Sequence, residues 1–137
     1  MFLLDTNVVS ELRKIKPHGG VVAWLTQQAP ESLFLSAMTV AEIQQGIERT
    51  RDQDATRAAE LEFWLEHTLL PTAQVLPMDG AVCRAWAKLM HRRSNTLAED
   101  AFIAATAEVH GLMIATRNVR DFKALGVPVV NPFALGR

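Results

Sequence analysis

A single cysteine, Cys83, in 137 residues rules out an internal disulfide. Neither it nor the four histidines fall at spacings that would gather a zinc ion, and Cys83 is expected to pack in the core. No apolar run approaches the roughly 20 residues a membrane-spanning helix needs. Asp5 breaks the N-terminal apolar stretch almost at once, so neither a signal segment nor an anchor is expected, and a cytoplasmic protein is the simplest reading. Positive charge is not in excess either. A net charge of −1 argues against a module that binds nucleic acid through a global positive field. It leaves a nuclease open, because bound metal can supply positive charge locally. Internal repeats, low-complexity tracts and linkers are lacking.

What is present is an apolar fraction of 49%, that of a globular chain, at a length that fits one domain, expected over 1–137. Short apolar runs alternate with longer helical patterns. The runs predict strands at Phe2–Leu4, Leu33–Leu35, Gln74–Leu76, Leu112–Ala115 and Pro128–Val130. Helices are expected at Val8–Lys14, Val21–Gln28, Met38–Thr50, Asp54–Leu70, Gly80–Arg93, Ala98–His110 and Val119–Leu125. Strand–helix alternation predicts an α/β fold whose mainly parallel sheet is covered on both faces. Pro71 is expected to stop the long fourth helix after Leu70. Gly111 and Gly126 are expected as helix C-caps. Ala58, Leu61, Trp64, Leu65 and Leu69 form a core stripe on the fourth helix. Trp24, Trp64 and Trp86 are candidates for a protein interface.

Four carboxylates fall where such a fold keeps its chemistry, since ligands bind beyond the carboxyl ends of parallel strands. Asp5 ends the first strand; its structural alternative is an N-cap for the first helix, shared with Asn7. Glu42 follows the second strand and lies off the apolar stripe of Val40, Ile43 and Ile47, with Gly46 one turn on leaving room beside it. Its alternative is a capping box with Thr39, with Ser36 as a further cap candidate. Asp100 opens a helix that is apolar nearly all round and therefore central. The helix dipole favours an acid there, but Glu99 can serve that role. Asp121 follows the Leu112–Ala115 run by one turn, with an ion pair to Arg117 or Arg120 as its alternative. Thr116 and Asn118 either form the turn or orient a ligand there. Converging oxygen donors favour Mg²⁺ or Mn²⁺. Basic residues cluster at Arg13, Lys14 and Lys16, at Arg49 and Arg51, and at Arg92 and Arg93. If these rim the acids, they can hold a phosphate backbone.

Taken in order, the motifs Leu3-Leu4-Asp5-Thr6-Asn7, Ser36-Ala37-Met38-Thr39-Val40-Ala41-Glu42, Glu99-Asp100-Ala101-Phe102-Ile103-Ala104-Ala105 and Ala115-Thr116-Arg117-Asn118-Val119-Arg120-Asp121 match a known pattern. With them the chain resembles, over its whole length, PIN-domain ribonucleases. More narrowly, it resembles the FitB-like toxins of VapBC-type toxin–antitoxin pairs.

The resemblance implies a three-layer α/β/α domain with four to five short strands. It also implies a metal-dependent endoribonuclease. Asp5, Glu42 and Asp100 would bind Mg²⁺ or Mn²⁺, and Thr6 and Thr39 would steady the site. Asn118 stands where FitB-like relatives often carry the fourth acid, and Asp121 substitutes for it. The implied partners are an RNA substrate, a second copy in a homodimer, and a VapB-like antitoxin through which alone DNA is contacted, with larger complexes forming through that antitoxin. The antitoxin would follow a groove along Met38–Thr50 and Asp54–Leu70, where Trp64 would be an exposed aromatic. The alternative is a non-catalytic binding or regulatory module on the same fold. A haloacid-dehalogenase-type phosphatase is disfavoured because Asn7 stands where that chemistry needs an acid. A receiver domain is disfavoured because its acidic pair is missing.

Overall fold

The computed structural model describes residues 1–135. Five strands lie parallel in the order β3-β2-β1-β4-β5: β1 (Phe2–Leu4), β2 (Leu33–Ser36), β3 (Gln74–Leu76), β4 (Met113–Ala115) and β5 (Val129–Val130). The strand β1 is central and pairs with β4, Leu3 opposite Ile114 and Leu4 opposite Ala115. Successive side chains of a strand point to opposite faces, and here they feed two cores. Leu4 and Ala115 join Val8, Val9, Val21, Trp24, Ile47 and Leu65 on one face. Leu3 and Ile114 join Ile103, Ala104, Ala107 and Phe122 on the other. The result is the expected α/β/α sandwich, mixed α/β with helices on both faces of the sheet.

Between the strands run α1 (Thr6–Val9), α2 (Gly19–Thr26), α3 (Ala37–Arg51), α4 (Ala55–Trp64), α5 (Leu70–Thr72), α6 (Gly80–Met90), α7 (Ala98–His110) and α8 (Val119–Ala124). Two begin two residues earlier than their apolar periodicity, because a cap decides the start. Asp5 caps α1, which runs on as a 3₁₀ turn over Ser10–Arg13. His18 accepts the Gly20 and Val21 N–H groups through Nδ1 and starts α2 at Gly19. The helix α7 matches its expected limits and buries Ala101 and Ile103–Ala107. Gly111 ends it with φ at 65° and Gly126 follows α8 with φ at 79°, conformations that suit glycine.

Pro71 does not stop the fourth helix at Leu70. The chain widens into a π-helical turn over Leu65–Leu69, with the Leu70 N–H bonded to the Leu65 carbonyl, and coils on to Thr72. Pro71 is accommodated at the first turn of that last piece, where its missing N–H goes unneeded. Cys83 is exposed rather than in the core. The inward face of α6 carries Val82, Trp86 and Leu89 at helical spacing, and Cys83 sits one residue off it. Two of the three tryptophans also turn inward. Trp24 packs edge-on against Phe2 at 4.9 Å, and Trp86 stacks on Phe102 at 4.4 Å while its Nε1 donates to the Ala98 carbonyl. Trp64 is half-buried, and the exposed aromatic of α4 is Phe63, at 64%.

Candidate active site

The strand order reverses direction around β1. The chain leaves β1 toward β2 and β3, then returns to β4 and β5 on the other side. A crevice at such a switch point lies beyond the strand ends, and Asp5 stands in it. Its backbone N–H still belongs to the sheet, donating to the Ala115 carbonyl at 2.9 Å. The residue is only 4% exposed. The Thr6 N–H donates to Oδ1 at 2.8 Å, while Thr116 Oγ1 at 2.8 Å and Asn7 Nδ2 at 3.2 Å donate to Oδ2. Capping and site roles therefore coincide in one residue. Burial outweighs these three donors and raises the Asp5 pKa above the usual carboxylate range.

Glu42 approaches from the second turn of α3. Ser36 caps this helix, accepting from the Met38 N–H, so Thr39 lies inside it and the Thr39–Glu42 capping box does not form. Thr39 is instead fully buried below the site, 3.5 Å from Thr6 Oγ1, and that same hydroxyl donates to Glu42 Oε1 at 2.8 Å. Burial, then the neighbouring Glu99 carboxyl and the charge of Asp5, push the Glu42 pKa up to about 7 against the lowering effect of the Thr6 hydroxyl. Asp100, in the first turn of α7, is pushed to about 6 by burial and by the charges of Asp5, Asp121 and Glu99. Asp121 is exposed on the first turn of α8, close enough to act on Asp100. Among the described residues it forms no ion pair with Arg117 or Arg120. Asn118 contributes a backbone N–H to Thr116 Oγ1 at 2.9 Å, and its side chain is exposed.

The expected residues thus come together from β1, α3, α7, α8 and the turn after β4. Two that sequence reasoning passed over join them. Glu99 reads from the sequence as a partner of the helix dipole, yet its carboxyl lies close enough to Glu42 to help raise that group's pKa. Asn7 ties Asp5 to the turn after β4, since its Oδ1 accepts the Arg117 N–H at 3.2 Å. The signal for each was adjacency to a chosen acid. Among the described residues, none of Asp5, Glu42, Glu99, Asp100 and Asp121 has an ion pair. Nor do any three acidic or histidine side chains already gather tightly enough to hold one ion. The donors are all oxygen and the local charge is uncompensated, which is the chemistry a hard divalent cation fits.

A cleft of about 380 Å³ opens from Thr6 and Glu42 along α3 toward α4. Arg13, Ile43, Gly46, Arg49, Leu61 and Trp64 are among its lining residues. Of the basic clusters, it is Arg13 and Arg49 that reach this cleft.

Fold and site define a parallel α/β/α domain with an acidic pocket at the switch point of its sheet. Residues 2–128 match the PIN domain, and the chain belongs to that family. It is 40% identical over 139 residues to the VapC ribonuclease Y4jK of Sinorhizobium fredii, covering 97% of this chain and 98% of that one. The crystal structure of FitAcB from Neisseria gonorrhoeae is similar with a TM-score of 0.86 and 38% identity, over 98% of this chain and 100% of the other. A toxin–antitoxin complex from Klebsiella pneumoniae is similar at 0.66 and 27%, over 96% and 98% of the two chains. The resemblance read from the four motifs is borne out. No helix among the described residues is long and apolar enough to cross a membrane.

Proposed function

We propose that this protein is an Mg²⁺- or Mn²⁺-dependent endoribonuclease and the toxin of a type II toxin–antitoxin pair. The observation that carries the reading is the set of carboxylates without cationic partners, gathered beyond β1, with pKa values raised by burial and mutual repulsion. Such a set is costly unless a cation joins it. The ribonuclease name of the Sinorhizobium relative and the toxin–antitoxin complex from Klebsiella support the same reading.

Asp5, Glu42 and Asp100 would hold the ion, with Asp121 as the fourth acid. When bound, the ion supplies Lewis acidity at a phosphodiester and a lowered pKa for water. The chain's own contribution is positioning. Thr6, Asn7 and Thr116 fix the Asp5 carboxylate from three sides. Thr6, backed by Thr39, aims Glu42, and the Asn118 N–H orients the Thr116 hydroxyl.

Residues 1–137 act as one domain in this reading. The protein works in the cytoplasm as a homodimer and is restrained by a VapB-like antitoxin. Larger assemblies form through that antitoxin, and DNA is reached only through it. The test is cleavage of total cellular RNA by purified, antitoxin-free protein with EDTA, Mg²⁺ or Mn²⁺, beside folded Asp5→Asn and Asp100→Asn variants. Metal-dependent cutting abolished in both variants is expected. Full activity in either sinks the metal-site assignment. No cutting by the folded parent with any ion returns the chain to the non-catalytic module.

A further inference from the structure

After β5 the chain doubles back onto the start of α2. The Asn131 side chain accepts the Phe133 N–H at 3.0 Å and the Asn131 carbonyl accepts the Ala134 N–H at 3.1 Å, which makes a tight turn. That turn lies so close to α2 that a Cβ at Gly20 would come within 3.1 Å of the Pro132 carbonyl oxygen and 3.2 Å of that of Leu135. Gly20 is therefore the residue that lets the segment in. The segment carries Phe133 down into the core, 5% exposed, with its ring 5.1 Å from that of His18. Glu11, itself buried, accepts the His18 N–H at 2.9 Å and ties the cap of α2 to the turn after α1.

Packing accounts for a buried Phe133, but not for what lies over it. The Arg117 guanidinium sits 3.9 Å from the centre of the ring. Arg117 is exposed and forms no ion pair among the described residues, so its side chain anchors on an aromatic face instead. The backbone of the same residue belongs to the acidic site. The Arg117 N–H donates to Asn7 Oδ1, and Asn7 Nδ2 donates to Asp5 Oδ2. The neighbouring Thr116 hydroxyl, which accepts the Asn118 N–H, donates to that same Asp5 oxygen. Two of the three donors that fix Asp5 thus depend on where the Thr116–Asn118 turn sits. On the sheet side the turn is held by the Thr116 N–H on the Val130 carbonyl, at 2.9 Å. On its exposed side it is held by the Arg117 side chain on Phe133.

We propose that Phe133 is a positioning residue of the acidic site. By seating the Arg117 guanidinium it fixes the turn after β4, and through Thr116 and Asn7 it fixes the Asp5 carboxylate. That this placement serves an ion and RNA cleavage rests on the ribonuclease reading above. Phe133 is buried and does not meet RNA, so its effect falls on the ion and on turnover, not on substrate affinity.

The test is a double-mutant cycle of Phe133→Leu, which stays apolar but loses the aromatic face, and Arg117→Met, which keeps the length but loses the charge. The first readout is hydrogen exchange of the Asn118 amide in the metal-free protein. Each single variant should speed it by roughly fivefold or more, the scale of one cation–π contact. The double variant should speed it no more than either, because the two side chains act as one contact. The Ile114 amide, bonded to the Pro128 carbonyl in the same sheet, is the control for general loosening. The second readout is Mn²⁺ affinity by calorimetry, which each variant should weaken about tenfold, the low end for an outer partner of a metal ligand. Removing the Arg117 charge would by itself tighten a cation in an acidic pocket, so the expected sign is opposite to a plain charge effect. In cleavage, Phe133→Leu should lower kcat and leave KM for RNA unchanged. Parent-like Asn118 exchange in Phe133→Leu overturns the proposal. So does equal acceleration at Ile114, which marks Phe133 as core packing only, or a double variant whose loss is the product of the two singles. Should Phe133→Leu fail to fold, Arg117→Met at the exposed end of the contact decides, and parent-like Asn118 exchange there overturns the proposal. A parent that binds no Mn²⁺ and cuts no RNA, alongside Asn118 exchange that answers to both variants, overturns the ribonuclease reading and supports the positioning of Asp5.

Discussion

Replacing Glu42 by Gln should stabilise the metal-free protein, and only above a defined pH. In the unfolded chain Glu42 loses its proton near 4.5; in the fold, burial and the neighbouring Glu99 and Asp5 hold it until about 7. Between those values the native state binds more protons than the unfolded state, so this group makes stability fall as pH rises. The penalty is absent below about 4.5 and complete above about 7. At about 1.36 kcal/mol per pH unit the limit is about 3 kcal/mol. Glu42 is only half-buried, and solvent screening brings the figure to about 1–2 kcal/mol. Glutamine keeps the shape, and its Oε1 can still accept from Thr6. Urea unfolding in EDTA at low salt should therefore show Glu42→Gln more stable than the parent by about 1–2 kcal/mol at pH 8. That corresponds to about 3–6 °C in Tm for a chain of this size. At pH 4 the two should coincide. A variant less stable than the parent at pH 8, or a gain of equal size at both pH values, would refute the reasoning. Added Mn²⁺ should reverse the order at pH 8, because the parent gains a ligand the variant lacks.

Asp121→Ala should reduce cleavage less than Asp100→Asn does, since Asp121 is exposed and acts on Asp100 by charge; an unaltered rate in a cleavage assay would point to Asn118 or water as the completing group. Thr116→Val removes the 2.8 Å hydrogen bond to the buried Asp5 and should cost about 1–3 kcal/mol in chemical denaturation. Thr116→Ser should restore most of it, and failure of that rescue would show that the methyl group rather than the hydroxyl matters. Ile103→Ala leaves a cavity in a fully buried site of α7 and should cost about 2–5 kcal/mol by the same measurement; a loss below 1 kcal/mol would mean the core on that face closes over the gap.

Local chemistry in the chain determined most of the secondary structure. Three-residue apolar runs too short for helices became the strands, and Phe2–Leu4 and Gln74–Leu76 did so without adjustment. The all-apolar pattern after Asp100 became the buried helix α7, because a helix without a polar face is stable only inside. Asp5, Glu42 and Asp100 were legible for a related reason: each is an acid beside an apolar segment, and parallel topology brings strand ends to one edge. Contacts distant in sequence were decided by the tertiary structure alone. Thr116 reaches Asp5 across 111 residues, Thr6 reaches Glu42 across 36, and Glu99 comes near enough to raise the Glu42 pKa although its own surroundings read as a dipole partner. Helix phase relative to neighbours turned Cys83 outward and Trp86 inward. A π-helical turn, invisible to a 3.6-residue period, carried the chain past Pro71. Periodicity reports which face of an element is apolar. Which neighbours meet that face, and what open space remains between them, is set only when the elements pack.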